Sequence, residues 1–393
     1  MPNRIVSCDI AVVGAGMVGL TLAAALGGEG LTVALIDAHR FDRLKSRARD
    51  GRTSAIAAGS RAVMERAGAW DAIARDAQPI LEIRVSDSDA PLYLHYDHAL
   101  LGKGPLGWIA ENADIRDALI ARARTLDTVI TLDGRNLESL ARDSHGIAAR
   151  LDDGTRVTAA LAVAADGQNS TLRREAGIET MSWRYDQASI VCTVAHERPH
   201  RGIAHEKFLP AGPFAILPMT GNRSSIVWTE RAALAPEIAN LPRGEFTRTL
   251  AHRFGDFLGA LDVEGEIFVY PLALSHARRY TAQRLALIGD AAHTIHPIAG
   301  QGLNLGLRDI AALCEALVEA GSLGLDLGAR TTLDAYERAR RLDNTLMIAL
   351  TDGLNRLFSN AVEPIKLARD VGLAAINRTA PLKRAFMRHA MGL

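Results

Sequence analysis

The 393-residue chain contains three cysteines, Cys8, Cys192 and Cys314, which lie far apart with no CxxC spacing. That scarcity excludes a disulfide framework and a cysteine-based zinc site, and it fits a reducing compartment. There is no excess of either charge: lysine plus arginine number 45 and aspartate plus glutamate number 45. No global field is therefore present to recruit nucleic acid or an acidic partner. Aromatic residues are only 5% of the chain. The sequence also lacks internal repeats, low-complexity tracts and the small-residue cleavage site of a signal peptide. What remains, 48% hydrophobic and 23% charged residues, is ordinary globular composition at a length that suggests two domains.

One uncharged run, Ile10 through Gly28, is long enough to be weighed as a membrane span. Its glycines argue otherwise, because Gly14, Gly16 and Gly19 stand where a strand would have to turn into a helix. The expectation is a soluble protein made in the cytoplasm. Residues 8–13 (CDIAVV) read as a strand buried on both faces, and residues 17–29 as a helix closed by Gly30. LTVALID (31–37) reads as a second buried strand. Strand, glycine turn, helix and strand within about 30 residues make a βαβ unit.

Gly14-Ala-Gly16-Met-Val-Gly19 has the GxGxxG spacing of a dinucleotide site. The first glycine permits a tight turn, and the second lets backbone N–H groups approach a pyrophosphate. The third lets the helix pack against the strand, with its positive end toward the phosphates. Asp37 ends the second strand, where a carboxylate can accept ribose hydroxyl hydrogens. A second match, Gly102-Lys-Gly104-Pro-Leu-Gly107, follows a polar stretch, carries Pro105 and opens into no evident helix, so it reads as a loop.

An NAD dehydrogenase commonly needs only the first signal plus a catalytic domain, but here two later segments resemble returns to the same cofactor. LAVAADG (161–167) ends at Asp166-Gly167, with Ser170 and Arg173 following. RLALIGD (284–290) ends at Gly289-Asp290 and leads into HPIAGQGLNLGLRD and a helix over 303–320. Between them, residues 181–275 are richer in Trp, Phe and Pro and show alternating patterns such as SIVWTE and EIFVYPL. That shift suggests an antiparallel sheet inserted in the first domain. From Thr331 onward helix dominates. Thr331 and Asp334 have capping-box spacing, and Leu333, Tyr336, Leu342, Leu346 and Leu350 recur at helical spacing. His293 and His296 are three apart without a convincing third ligand, so no metal site is expected.

Together GAGMVG, the Asp166-Gly167 turn and GDAAHTIHPIAGQGLNLGLRD resemble the three fingerprints of FAD-dependent aromatic hydroxylases of the p-hydroxybenzoate hydroxylase fold. The third segment and the C-terminal stretches TDGLNRLFSN and RDVGLAAINRTAPLKRAFMRHAMGL are closer still to the ubiquinone-biosynthesis hydroxylases of the UbiH/UbiF type. The resemblance runs from Asp9 to Leu393 and is weakest over 181–275. It implies a mixed α/β architecture: a Rossmann-like FAD-binding domain (1–75, 105–180 and 276–330), an inserted antiparallel-sheet substrate domain (76–104 and 181–275) and a helical C-terminal region (331–393).

The resemblance also implies roles. Gly14, Gly16 and Gly19 would cradle the FAD pyrophosphate and Asp37 the adenosine ribose. Arg52 would contact the flavin side, and Arg116 would lie near the pyrophosphate. Asp166 belongs to the second fingerprint, and Asp290 would bind the ribityl or pyrophosphate region. Gly302, Leu303 and Asn304 would hold the pyrimidine edge of the flavin through backbone N–H groups, with Pro297 beside the reactive C4a. The implied reaction is hydroxylation of a polyprenylated phenol by way of a flavin C4a-hydroperoxide, with O2 as co-substrate and NAD(P)H as reductant. No side chain stands out as acid or base.

Residues 366–393 carry Lys366, Arg369, Arg378, Lys383, Arg384 and Arg388 against Asp370 alone, with Leu382, Phe386, Ala390 and Met391 spaced to share a helical face. Such a tail suits peripheral contact with anionic lipid on the inner face of a membrane. A basic terminal helix packed on the domain is the alternative. Contact with other ubiquinone-biosynthesis enzymes is a further expectation. Two other functions remain open at this stage: the same chemistry on a soluble phenol, and a non-catalytic FAD-binding scaffold.

Overall fold

The computed structural model describes residues 4–42, 51–87, 93–100, 102, 104–296, 300–358 and 391. The first βαβ unit forms as expected: strand β1 (Ile10–Val13), helix α1 (Met17–Gly28) and strand β2 (Val33–Asp37). Gly30 follows α1 in a left-handed conformation, which a side chain would oppose. Two further strands join, β3 (Leu161–Ala164) and, later in the chain, β6 (Leu285–Leu287). The sheet order is Thr281–Ala282, β6, β3, β1, β2, Val129–Asp133, parallel apart from the short antiparallel edge pair at 281–287. Every residue of β1, β3 and β6 is buried. These short apolar runs are therefore two-sided core strands.

Register places the site. Val13 stands beside Ala164, and Ala164 beside Leu287. The three strands thus end in one row, and the turns that follow them emerge side by side at the carboxyl edge of the sheet, where open α/β sheets bind ligands. The 10–28 run is a strand, a turn and a helix, and among the described residues no helix is long and apolar enough to cross a membrane.

The second large element is an eight-stranded sheet in the order His293–Thr294, β5 (Leu261–Ala277), β4 (Thr180–His196), Arg223–Arg231, Gly212–Met219, Ile203–Leu209, Glu82–Asp87, Tyr93–Asp97. The antiparallel expectation holds for all pairs except one. Ile203–Leu209 runs parallel to Glu82–Asp87 because the latter arrives from an earlier part of the chain. One face of this sheet is closed by the helices Leu234–Ala239 and Arg243–Phe254, which pack with Ile190, Cys192, Phe214, Ile226 and Trp228 into a second core. The opposite face turns toward the cofactor unit. A Cβ on Gly51 would meet the Phe268 ring, and Arg52 lies over the Tyr270 ring at 5.2 Å.

Helix α2 (Gln301–Ser322) packs on α1, and α3 (Arg330–Phe358) packs on α2. The leucine spacing marks α3 as a helix, but the stripe divides. Leu333 and Tyr336 are buried, whereas Leu342, Leu346 and Leu350 are exposed. The helix begins at Arg330, so Thr331 sits in its first turn and Asp334 pairs with Arg330 at 3.5 Å instead of closing a capping box. The second GxGxxG falls in irregular structure at Gly102 and Gly104, and Gly107 opens the strand Gly107–Glu111. Most of the basic tail lies outside the described residues. Met391 is described, and it is buried with Ile80, Leu106 and Ala204.

Candidate cofactor and active site

The three glycines of the first turn are required for different reasons. Gly14 has φ +102°, and a Cβ there would collide with the backbone at Ala165 and Asp166. A Cβ on Gly19 would strike the Gly14 carbonyl oxygen. At Gly16, by contrast, a Cβ would meet nothing within 4 Å. The first and third glycines are thus demanded by packing, and the second faces open space, the cradle a phosphate group would fill. Gly16 is also the N-cap of α1 and supplies no side-chain capping bond. The first-turn N–H groups of a helix have no partner within it, so this end is suited to an anion. Asp37 is braced at the neighbouring strand end. Its Oδ2 accepts the Ala15 N–H at 2.6 Å and its Oδ1 the His39 N–H at 2.7 Å.

The second turn lies beside the first. Asp166 Oδ2 accepts the N–H groups of Thr171 and Leu172, while its Oδ1 is buried with no hydrogen-bond partner among the described residues. Ser170 caps the short helix Thr171–Glu175 by accepting the Arg173 N–H. Arg173 ties this turn to the third, donating to the carbonyls of Gln168 and Ala291 at 2.8 Å each.

The third turn carries Asp290 on a single 3-10 turn, Gly289–Ala291. Asp290 is exposed at the surface, with protein packed beside it. That crowding pushes its carboxyl above the ordinary aspartate range, against the pull of His293 and Arg52. Gly300 caps α2 in the left-handed region, φ +62°, with no side-chain capping bond. Its first-turn N–H groups are therefore unused inside the helix, and at Gly302 a Cβ would again meet nothing within 4 Å. Leu303 is partly buried and packs against the main core. Arg116 is half-buried on the helix Asn112–Arg124. Pro297 lies outside the described residues.

Two residues gain roles that spacing did not suggest. Besides its backbone, Asn304 uses its side chain: Oδ1 accepts the Ala57 N–H at 2.9 Å and Nδ2 donates to the Ala55 carbonyl at 2.8 Å. It fastens the start of α2 to the strand Thr53–Ala57, which follows Arg52. The second is Asp309, fully buried on α2. It accepts hydrogen bonds from the Gly289 N–H at 3.0 Å, His293 Nε2 at 2.6 Å, Arg340 Nε at 2.9 Å and Asn344 Nδ2 at 3.2 Å. Burial pushes its pKa up, but His293 and Arg340 outweigh that and hold the carboxylate below the ordinary aspartate value. Asp309 thereby locks the third turn to α3. A sequence signal existed: Asp309 shares a helical face with Leu305 and Leu313, an acid in an apolar stripe.

These features fit FAD. A cradle stands open at Gly16 and at Gly302, two helix N-termini lack side-chain caps, and Asp166 Oδ1 is buried without a partner among the described residues. The fold and site define an FAD-binding oxidoreductase, and the family model described as "FAD binding domain" matches residues 7–350. The chain belongs to that family and, within it, groups with the ubiquinone-biosynthesis hydroxylases. It is 50% identical to the ubiquinone hydroxylase UbiL of Rhodospirillum rubrum, covering 98% of this chain and 89% of the relative. It is 34% identical to the 3-demethoxyubiquinol 3-hydroxylase of Escherichia coli, covering 98% of each. Among solved structures, the p-nitrophenol 4-monooxygenase PnpA of Pseudomonas putida superposes with a TM-score of 0.80 over 98% of this chain and 97% of that one, at 21% identity. At that identity the likeness speaks for the fold.

Proposed function

We propose that the chain is an FAD-dependent monooxygenase that hydroxylates the aromatic ring of a polyprenylated ubiquinone precursor. The observation that carries this reading is its 50% identity to a ubiquinone hydroxylase over 98% of the chain, with the cofactor cradle intact. Bound FAD supplies the electron storage and oxygen activation that amino-acid side chains lack, and O2 and NAD(P)H are the co-substrates typical of the family.

The protein's own residues bind, orient and shield. The α1 N-terminus with Gly14, Gly16 and Gly19 receives the pyrophosphate, and Arg116 lies near it. Asp37, oriented by Ala15 and His39, faces the adenosine ribose. Asp166 and Asp290 offer carboxylates along the cleft, and Arg52, steadied on Tyr270, lies on the flavin side. The N–H groups of Gly302, Leu303 and Asn304 suit an electron-rich ring edge, and Pro297 is assigned to the neighbourhood of C4a. The cofactor unit comprises 1–75, 105–180 and 276–330, the substrate unit 76–104 and 181–275, and the C-terminal region 331–393. Access to a prenylated substrate calls for peripheral contact with a membrane through the basic tail, and for exchange with neighbouring enzymes of the same pathway.

The test is direct. The purified protein should show flavin absorption and, supplied with reductant, O2 and a short-chain polyprenyl phenol, yield a product one oxygen heavier by mass spectrometry. Absence of flavin after reconstitution would sink the cofactor assignment. Flavin with only peroxide released would sink the substrate assignment.

A further inference from the structure

The face of the large sheet that turns toward the cofactor unit contains a half-buried carboxyl that pairs with no side chain among the described residues. Glu206 lies in the strand Ile203–Leu209, and side chains two apart on a strand share a face, so Glu206 sits with Ala204 and Phe208. Ala204 belongs to a cluster with Leu217, Ile83, Tyr96 and Ala55. Ala55 is the residue that a Cβ on Gly300 would touch at 3.0 Å and whose carbonyl Asn304 holds. This part of the sheet therefore abuts the start of α2, where the flavin ring edge is assigned. On the other side, Phe208 stacks on Phe358 at 4.2 Å, with Val85 packed against the pair.

Register puts Val85 and Ala215 directly beside Glu206 on the two flanking strands. The carboxyl is thus flanked by apolar residues, and among the described residues it has no hydrogen bond and no ion pair. Its residue is nevertheless half-buried rather than sealed, so it borders open space. Desolvation alone pushes its pKa up to about 8. The charged groups of its own strand and its neighbour have other occupations. His205 packs on Phe257, Lys207 donates to the carbonyls of Arg253 and Phe254, and Arg84 pairs with Glu82. Of the same-face neighbours, Ile83, Val85 and Asp87 on one strand and Pro213, Ala215 and Leu217 on the other, the one carboxylate is Asp87, two positions along beside Phe208. From α3, the charged groups near this face are engaged: Asp352 accepts from Tyr185, and Arg356 pairs with Asp352.

A carboxyl that stays protonated near neutrality is a hydrogen-bond donor, here set beside apolar residues and open to a ligand. We propose that the Glu206 carboxyl hydrogen-bonds an oxygen substituent on the ring of the aromatic substrate, and so selects which ring carbon faces the flavin. This rests on the hydroxylase reading above.

The experiment compares wild-type holoenzyme with Glu206→Leu and Glu206→Gln, all with FAD content checked. Binding of a short-chain polyprenyl phenol is followed by perturbation of the oxidised flavin spectrum, alongside thermal melting and the ratio of hydroxylated product to peroxide. E206L should bind the phenol at least tenfold more weakly and divert turnover to peroxide, yet melt no lower than wild type, because the lost carboxyl had no partner. E206Q, which keeps a donor, should bind within about threefold of wild type at pH 7. Wild-type binding should weaken above pH 8 as the carboxyl ionises, and E206Q should lack that step. If E206L binds and couples like wild type while wild type hydroxylates the phenol, the proposal is overturned and the hydroxylase reading stands. If flavin-replete wild type neither binds nor hydroxylates any phenol offered, both are overturned.

Discussion

At the Gly14–Gly19 turn the shape follows from near neighbours: Gly19 packs on the Gly14 carbonyl, and Asp37 reaches back 22 positions to Ala15. At the Gly289–Ala291 turn and the start of α2, the shape is held from far away. Asn304 is fastened to Ala55 across 249 positions, and Asp309 gathers Gly289, His293, Arg340 and Asn344 from three elements. The first end is a local conformational motif and fails by collision. The second is a buried polar network and fails by leaving charges unpaired.

The contrast is broken most severely at the glycines. Gly14→Ala or Gly19→Ala should destabilise the fold by ~4 kcal/mol or more, since backbone would have to move, giving little soluble, flavin-free protein. Gly16→Ala should melt within a few degrees of wild type as apoprotein but bind FAD at least tenfold more weakly. Equal apoprotein melting for all three variants would show that packing does not distinguish them.

Next in size is Asp309→Asn. Removing one partner of a buried pair costs ~3–5 kcal/mol because Arg340 stays buried and uncompensated, which urea unfolding would measure. The same linkage has a pH signature. The folded-state pKa of Asp309 is depressed, so its contribution is complete above the ordinary aspartate value of 3.8 and is lost as pH falls below it. D309N should flatten stability in that window, and an unchanged acid limb would contradict the network.

His296 reports on a milder pH range. It is fully buried beside Tyr185, its ring nitrogens have no hydrogen-bond partner among the described residues, and burial brings its pKa down to about 4 despite Asp352. Between 6.5 and about 4 the unfolded chain takes up a proton that the folded one refuses. Stability should therefore fall through that interval by up to about 1.4 kcal/mol per pH unit. His296→Phe should remove that slope in acid melting curves. The smallest effect belongs to Asn304→Ala, about 1–3 kcal/mol from backbone groups left unpaired at Ala55 and Ala57. It should appear chiefly as faster FAD release in a fluorescence assay.

Much of the cofactor unit was legible because its rules are local. Strands buried on both faces read as apolar runs, and a βα turn that admits a phosphate must be glycine. Position by position, Gly14, Gly16, Gly19 and Asp37 needed only their neighbours to be proposed as a dinucleotide turn, and the resemblance added Asp166 and Asp290. Less of the large sheet could be read. The parallel join of Glu82–Asp87 to Ile203–Leu209 pairs segments more than a hundred positions apart, and pattern alone does not name the partner. Helical spacing marked α3 but not its buried side: Leu342, Leu346 and Leu350 look like core and lie exposed.

The sequence by itself determined the glycine turn, the buried core strands and the family, because these depend on backbone conformation and on burial patterns repeated every few residues. Tertiary structure decided that Val13, Ala164 and Leu287 end in one row, that Asp309 is a hub, and that Glu206 stands beside apolar residues with no partner among the described residues. Those properties belong to distances between segments remote in the chain, and the energy of a buried charge is set by what surrounds it in space.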